Sequence, residues 1–401
     1  MNRMWFFAGM AVGVLAGATS GSIINVGPGG SIQAAVDAAQ NGDEIVIAPG
    51  TYVENIMVEG KEIILRSSDG PEATIVTASN PNNAVVRVEG GSTDVMIDGL
   101  TFTGGTHPSL GLTYINNSAT AQIANCLFIG SATMGILVQG NSDVVVTGCV
   151  FSQLTGSGAL QSSDEMIIAD CTFVNCTSGA GGALRFFRNA ASIITGCVFA
   201  GNSATVDKGG AIYLSTGNDA TLTNCVFIEN EAVLAGGAIY ASESNPIISN
   251  CTFSGNIGLG GAIFNDEFSF PEIRNSILWG NFPFQIFDSD SLAQVIFCDV
   301  EGGWEAPGSF GVIDDDPLFV DPGNGDYRLQ PGSPCTDAGH NWGVLPDFAD
   351  LDANGDTAEL TPFDLDGNPR FVADPADFDP GCGLPVVMDT VPTQRAPSEN
   401  Q

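Results

Sequence analysis

A Cys-x-Phe unit that returns every 22 to 28 residues, short segments rich in Val, Ile, Thr and Phe, and Gly, Asn, Asp and Ser at the breaks between them predict an all-β fold. That fold is a right-handed parallel β-helix, a solenoid, with a short N-terminal capping helix and an irregular C-terminal region. The unit starts at Cys126, Cys149, Cys171, Cys197, Cys225 and Cys251, has Ser276 in the next such place, and returns at Cys298. A segment this short cannot bury its own apolar side, so each unit must stack on the next. The β-branched and aromatic content of the segments argues against helical repeats.

The elements follow in chain order. Residues 1–18 place Arg3 ahead of an apolar run, Trp5 to Ala18, that closes on Ala16-Gly17-Ala18, and read as a secretory signal peptide cut near Ala18. The run is shorter than the roughly 20 residues needed to span a bilayer. Residues 19–42 read as an N-terminal cap. Within it Ile32, Ala35, Val36 and Ala39 recur at helical spacing, with Ser31 at the N-cap and Gly42 past the end, and such a helix covers the first coil. Residues 43–300 are the solenoid. Upstream of the first Cys, Leu100 holds the Cys place two residues before Phe102, and earlier strand candidates include DEIVIA, KEIILRS and AVVRVEG. Residues 301–401 form a C-terminal module and an acidic, loop-rich tail.

Residues two apart in a strand face the same side, so the Cys and Phe of each unit point together. With Phe in every coil, that side is the core, and the cysteines are small apolar fillers that stay reduced. The alternative, open to an exported chain, is cross-linking of successive coils. Zinc is disfavoured because the spacing is unpaired and His107 and His340 fall outside the column. Cys335 and Cys382, in the irregular region, are candidates to pair with each other. Asn202, Asn230, Asn256 and Asn281 recur three residues after a Phe or Leu and read as stacked corner amides, with Ser131 and Cys176 in that place on other coils. The pairs Gly181-Gly182, Gly209-Gly210, Gly236-Gly237 and Gly260-Gly261 read as corner formers.

The tandem F-x-x-N and G-G-A-I units, over about 93–300, resemble polymorphic outer-membrane protein repeats and the broader right-handed β-helix region. The opening IQAAVDAAQNGDEIVIAPGTYVENIMVEGKEIILRSSDG resembles that of pectinesterase-like and other carbohydrate-active β-helix proteins, which implies fold more than activity. The stretch DDDPLFVDPGNGDYRLQPGSPCTDAG is similar to the choice-of-anchor Q module of bacterial secreted β-helix proteins. Its continuation DLDGNPRF is present, whereas PVVMDTVPTQ replaces the usual Gly-Ala-Tyr-Glu ending.

The 46 Asp and Glu against 11 Lys and Arg give a net charge of -35, which opposes nucleic acid or an anionic membrane as partner. Sites of the carbohydrate-active β-helix enzymes are poorly matched. The only Asp run, Asp314-Asp315-Asp316, lies in the tail, and a pair of carboxylates set across a glycosidic bond is not apparent. A lyase needs a basic residue beside a cation, and in the solenoid only Arg185, Arg188 and Lys208 cluster. Alternation places Arg185, Tyr213, Tyr240 and Phe264 in one outward column, the predicted ligand-binding strip for a polysaccharide or cell-surface glycan; mutual packing of the rings is the alternative. The net charge favours a neutral glycan, since an anionic one needs Arg185, Lys208 or bound cations. Asp350, Asp352, Asn354 and Asp356 occupy places 1, 3, 5 and 7 of a calcium loop, but Thr361 stands where the bidentate Glu belongs, so a metal-free acidic turn is an equal reading. No cofactor is required by the sequence. The leading reading is an exported, non-catalytic β-helix protein of the cell surface or periplasm, in glycan binding or envelope structure. The rival is a polysaccharide lyase or glycoside hydrolase of the pectin-active β-helix type.

Overall fold

The computed structural model describes residues 21–361, apart from residues 108, 189–190, 337, 348–349 and 351–353. The signal segment and Cys382, and with it the Cys335–Cys382 pairing, lie outside the described residues. Short strands pass in turn through three long parallel sheets, the first of 12 strands, the second of 11 and the third of 10. One coil runs from Met166–Ala169 in the first sheet through Thr172–Val174 in the second and Leu184–Phe187 in the third, then re-enters the first at Ile193–Thr195. Between the second and third sheets, five coils add a strand to a fourth sheet, from Thr177–Ser178 to Phe282–Pro283. This accounts for part of the uneven repeat length. The spacings of 25 to 28 residues between Cys171 and Ser276 all belong to coils that carry the extra strand.

The residue before each Cys of the column from Cys126 to Cys251, and before Ser276, is a corner residue held at positive φ: Asn125 (50°), Gly148 (59°), Asp170 (52°), Gly196 (62°), Asn224 (52°), Asn250 (55°) and Asn275 (45°), while Phe297 (51°) takes that place before Cys298 on the last coil. Only Gly, and Asn or Asp at modest cost, take this conformation readily, so the residue before the Cys sets the turn from first to second sheet. The second Gly of each Gly-Gly pair answers a different constraint. A Cβ on Gly182 falls 2.2 Å from the carbonyl oxygen of Gly210, and one on Gly210 falls 2.0 Å from that of Gly237. Backbones of successive coils are in contact there. Replacing Gly210 by Ala must push two coils apart, and we expect a loss of about 3 kcal/mol, read as a lower urea midpoint with unchanged slope.

Three side-chain columns fill the interior. Phe102, Phe128, Phe151, Phe173, Phe199, Phe227 and Phe253 stack with centroids 4.6 to 5.2 Å apart. The column from Cys126 to Cys251, with Cys298, is fully buried as thiols, each Sγ lying on a carbonyl two residues back and on one of the preceding coil, as in Cys197 to Thr195 (3.2 Å) and Ile168 (3.6 Å). Burial, above all, pushes the thiols of Cys126 to Cys225 well above their ordinary range, which keeps them unreactive. The third column is the amide ladder. Asn202 Nδ2 donates to Asn230 Oδ1 (3.0 Å), Asn230 to Asn256 (2.9 Å), Asn256 to Asn281 (2.7 Å), and Asn281 to Gln285 Oε1 (2.6 Å).

Both ends are covered. The helix Ile32–Ala38 buries Ile32, Ala35 and Val36, and Ser31 Oγ accepts from Ala34 N at 3.1 Å. Glu54 accepts from the N–H groups of Ile32 (2.8 Å) and Gln33 (3.0 Å), joining this cap to the first coil. At the other end, Phe310 and Ile313 extend the stack through parallel bridges to Ile296 and Asp299. The antiparallel pair Phe319–Asp321 and Asp326–Leu329 then folds back along the outside of the second sheet, where Phe319 and Tyr327 pack with Val226, Ile228 and Ile277. The Asn275 side chain clamps the chain further on, accepting from His340 N and donating to His340 O, each at 3.0 Å.

Asp299 joins this tail to the last coil by accepting from Cys335 Sγ at 2.9 Å. Burial first, then the charges of Asp315 and Asp314, raise its carboxyl from 3.8 to about 6, despite the thiol and Asp315 N–H hydrogen bonds. A group whose folded pKa is raised favours folding most below its unfolded pKa, and that contribution is lost as pH rises through the folded value. Melting temperature should therefore fall between pH 5 and 7. Asp299→Asn should reduce that difference relative to the wild type; an unchanged difference would rule out Asp299 as its source.

Candidate functional site

The outward column of the third sheet is a continuous register. Gln161, Arg185, Tyr213, Tyr240, Phe264 and Phe287 lie opposite one another on successive coils. The predicted strip is thus a single column, but its members differ in access. Tyr240 is only 2% exposed and Phe264 6%. The rings stack face to face, with centroids 5.1 Å apart for Tyr213–Tyr240, 5.7 Å for Tyr240–Phe264 and 5.2 Å for Phe264–Phe287. Their faces are occupied by one another, so the middle of the strip offers edges, whereas sugar stacking uses faces.

A polar network closes over Tyr240. Lys208 Nζ donates to Tyr240 Oη (2.7 Å) and Asp266 Oδ2 (3.3 Å), and the Tyr240 hydroxyl donates to the same Asp266 oxygen (2.8 Å). The ammonium also sits 4.3 Å from the Tyr240 ring centroid. Burial and then the hydrogen bond to Asp266 push the Tyr240 phenol well above its ordinary range. Burial opposes ionisation of Asp266, yet hydrogen bonds from Tyr240, Ser289 and Lys208 hold its carboxyl below the usual value. Sequence reasoning singles out Lys208 as basic but misses this network. Its partner Asp266 lies 58 residues away, and only the next outward place on the third sheet, opposite Ser242, marks it.

Arg185 is in a different state. Its guanidinium lies over Phe187 (4.6 Å to the centroid) and Tyr213 (5.4 Å), capping the end of the ring stack. Five other basic side chains each hold a carboxylate: Arg66, Arg87, Lys208, Arg274 and Arg328. Among the described residues Arg185 has no such partner, and its Nε is buried without an acceptor. Gln161 and Tyr213 flank it in register, and the exposed Arg188 stands three residues on, at the corner, with φ 64°. The described tail packs on the second sheet and its corner with the first, so it leaves this part of the third sheet accessible.

The acidic loop is described in part, since Asp352 lies outside the described residues. Asp350 Oδ1 accepts from Gly355 N (3.0 Å), Asn354 Oδ1 from Asp356 N (2.7 Å) and Asp356 Oδ1 from Ala358 N (3.0 Å). These oxygens cap turns. Asp350 Oδ2 is buried and has no hydrogen-bond partner. Among the described residues no group of three or more His, Cys, Asp or Glu is arranged to hold a metal ion. Nor is any described helix long and apolar enough to cross a membrane.

The family model described as the right handed beta helix region matches residues 162–300. Among solved structures, the alginate lyase from Paenibacillus sp. str. FPU-7 is similar, with 16% identity and a TM-score of 0.52 over 67% of this chain and 99% of that one. Pectate lyase Pel9A is similar at 12% identity and a TM-score of 0.50, over 81% and 93% of the two chains. No curated protein matches this chain in sequence. At these identities the likeness is one of fold. Repeat, register and family match together make this chain a right-handed parallel β-helix repeat protein.

Proposed function

We propose that this chain is an exported, non-catalytic β-helix protein that binds a carboxylate-bearing polysaccharide on the third sheet, around Arg185. The observation that carries this reading is the unpaired Arg185 guanidinium in a chain of net charge -35. A guanidinium that holds no carboxylate of its own chain can take one from a ligand, and hydrogen bonds to charged groups are worth about 1.5 to 3 kcal/mol. Gln161, Arg188 and the exposed part of Tyr213 complete the contact, while Tyr240 and Phe264 continue the ring stack on the coils beside it. The neutral ligand favoured by net charge alone gives way here to an anionic one, because local charge at the contact outweighs screened charge farther away. The names of the two similar structures, an alginate lyase and a pectate lyase, suggest the ligand class to try first. The repeats and tail that resemble outer-membrane and envelope-anchored proteins support placement at the cell envelope.

Binding of alginate and polygalacturonate oligosaccharides by the purified chain tests the proposal. We expect Arg185→Ala to weaken the affinity 10- to 100-fold, the equivalent of about 1.5 to 3 kcal/mol. Unchanged affinity in that variant, or no binding to either polymer, refutes it. Release of unsaturated or reducing ends in the same incubation would favour the lyase or hydrolase instead. Weak calcium binding at Asp350, Asp352, Asn354 and Asp356 is a second proposal, supported by the partnerless Asp350 Oδ2. Calorimetry at millimolar calcium should show heat that Asp350→Asn removes.

A further inference from the structure

The fourth sheet carries an apolar surface that neither the core nor the Arg185 site uses. Of the 16 exposed large hydrophobic side chains among the described residues, five lie on it, Val233, Leu234, Ile257, Leu259 and Phe282, and Phe284 stands one residue past its last strand, against Phe287 of the third sheet. They are neighbours by register. Ile257 pairs with Glu231 on one side and Phe282 on the other, and Leu259 pairs with Ala235. Within Glu231–Ala235 the register shifts, a bulge that turns both Val233 (60% exposed) and Leu234 (52%) to solvent. Bulges of this kind re-aim side chains and recur beside functional sites. An apolar surface spread over three successive coils exceeds the scattered single residues that a soluble surface ordinarily shows.

The rim decides the occupant. Glu229 and Glu231 are exposed at one end and Glu301 at the other, and the half-buried Asp207 lies beside the bulge, where Leu234 N donates to Asp207 O at 3.0 Å. None of these four carboxylates forms an ion pair among the described residues. Lys208, the cation next to them in sequence, is turned to Asp266. A second copy of this chain would bring another -35 and the same acidic rim against it. From the apolar centre and acidic border we infer that the fourth sheet docks a basic, amphipathic segment of a partner protein. Apolar side chains of that segment cover Leu234, Ile257 and Phe282, and its Lys or Arg residues meet Glu229 and Glu231.

The test uses the full chain and two synthetic peptides of equal positive charge, a lysine–leucine amphipathic peptide and a lysine–serine peptide. We expect the lysine–leucine peptide to bind and the lysine–serine peptide to bind at least 10-fold more weakly. The triple variant Leu234→Ser, Ile257→Ser, Phe282→Ser should lose at least 10-fold in affinity for the first peptide and melt within a few degrees of the wild type, since all three side chains are exposed. Should the triple variant fail to fold, Glu229→Gln with Glu231→Gln leaves the apolar centre intact and should show a similar loss. Equal binding of the two peptides overturns the inference, because the attraction is then the charge of the whole chain. So does a concentration-dependent dimer of the wild type, seen by sedimentation and abolished by the serine variant, which assigns the surface to a second copy. Arg185→Ala should leave peptide binding unchanged, which separates this surface from the polysaccharide site.

Discussion

Replacing Asn230 by Ala is expected to destabilise the protein by about 5 kcal/mol, more than the loss of any one core side chain in the neighbouring columns. Asn230 Oδ1 accepts from both the backbone N–H and the Nδ2 of Asn202, each at 3.0 Å, while its own Nδ2 donates to Phe199 O (3.0 Å) and Asn256 Oδ1 (2.9 Å). The substitution leaves the buried Asn202 N–H without its acceptor, takes one of the two acceptors of Asn202 Nδ2, which keeps Phe173 O (2.9 Å), and removes a donor from Phe199 O, and a buried group left unsatisfied costs about 1 to 3 kcal/mol. Asn256 Oδ1 keeps the Asn230 N–H bond (3.0 Å), so the damage lies toward the N-terminal side of the ladder. Urea unfolding measures this as a fall in midpoint. Hydrogen exchange should show faster opening at Asn202 than at Asn256. A loss below about 1 kcal/mol would mean that water replaces the amide at little cost and that the ladder serves register more than stability.

Truncating Phe227 to Ala is expected to cost about 4 kcal/mol. The ring lies 4.7 Å from that of Phe199 and 4.6 Å from that of Phe253, nearly parallel to both, so its removal opens a void bounded by two ring faces. Neighbouring coils are held at the strand spacing and cannot close the gap. Phe227→Leu should cost far less, under about 1.5 kcal/mol, because Leu278 already continues the same column opposite Phe253. Similar losses for Ala and Leu would show that ring stacking, rather than filled volume, carries the energy.

Much of the solenoid is legible in the sequence because a stacked repeat turns each structural demand into a recurring letter. The inward phase of Cys and Phe, the corner amides, the close Gly contacts and the capping helix each follow from period-2 alternation or from a residue type with one suitable conformation. The Asn, Gly or Asp before each Cys from Cys126 to Cys251, which sets the corner from first to second sheet, is a recurring letter of the same kind. Alternation also puts Arg185, Tyr213, Tyr240 and Phe264 in one outward column. It cannot say which of them water reaches, since access depends on loops whose paths carry no period. Lys208 comes from such a loop to cover Tyr240, and its partner Asp266 stands two coils away. The fourth sheet is a similar case. The longer spacings show that residues have been added, but only the stacking of those insertions on one another makes them strands, with five exposed apolar side chains on the outside. The sequence alone therefore determined the coil, its interior and its caps, which rest on local conformation and on contacts between equivalent places. Tertiary structure decided which outward residues are paired, covered or exposed, because those contacts join unlike places on different coils.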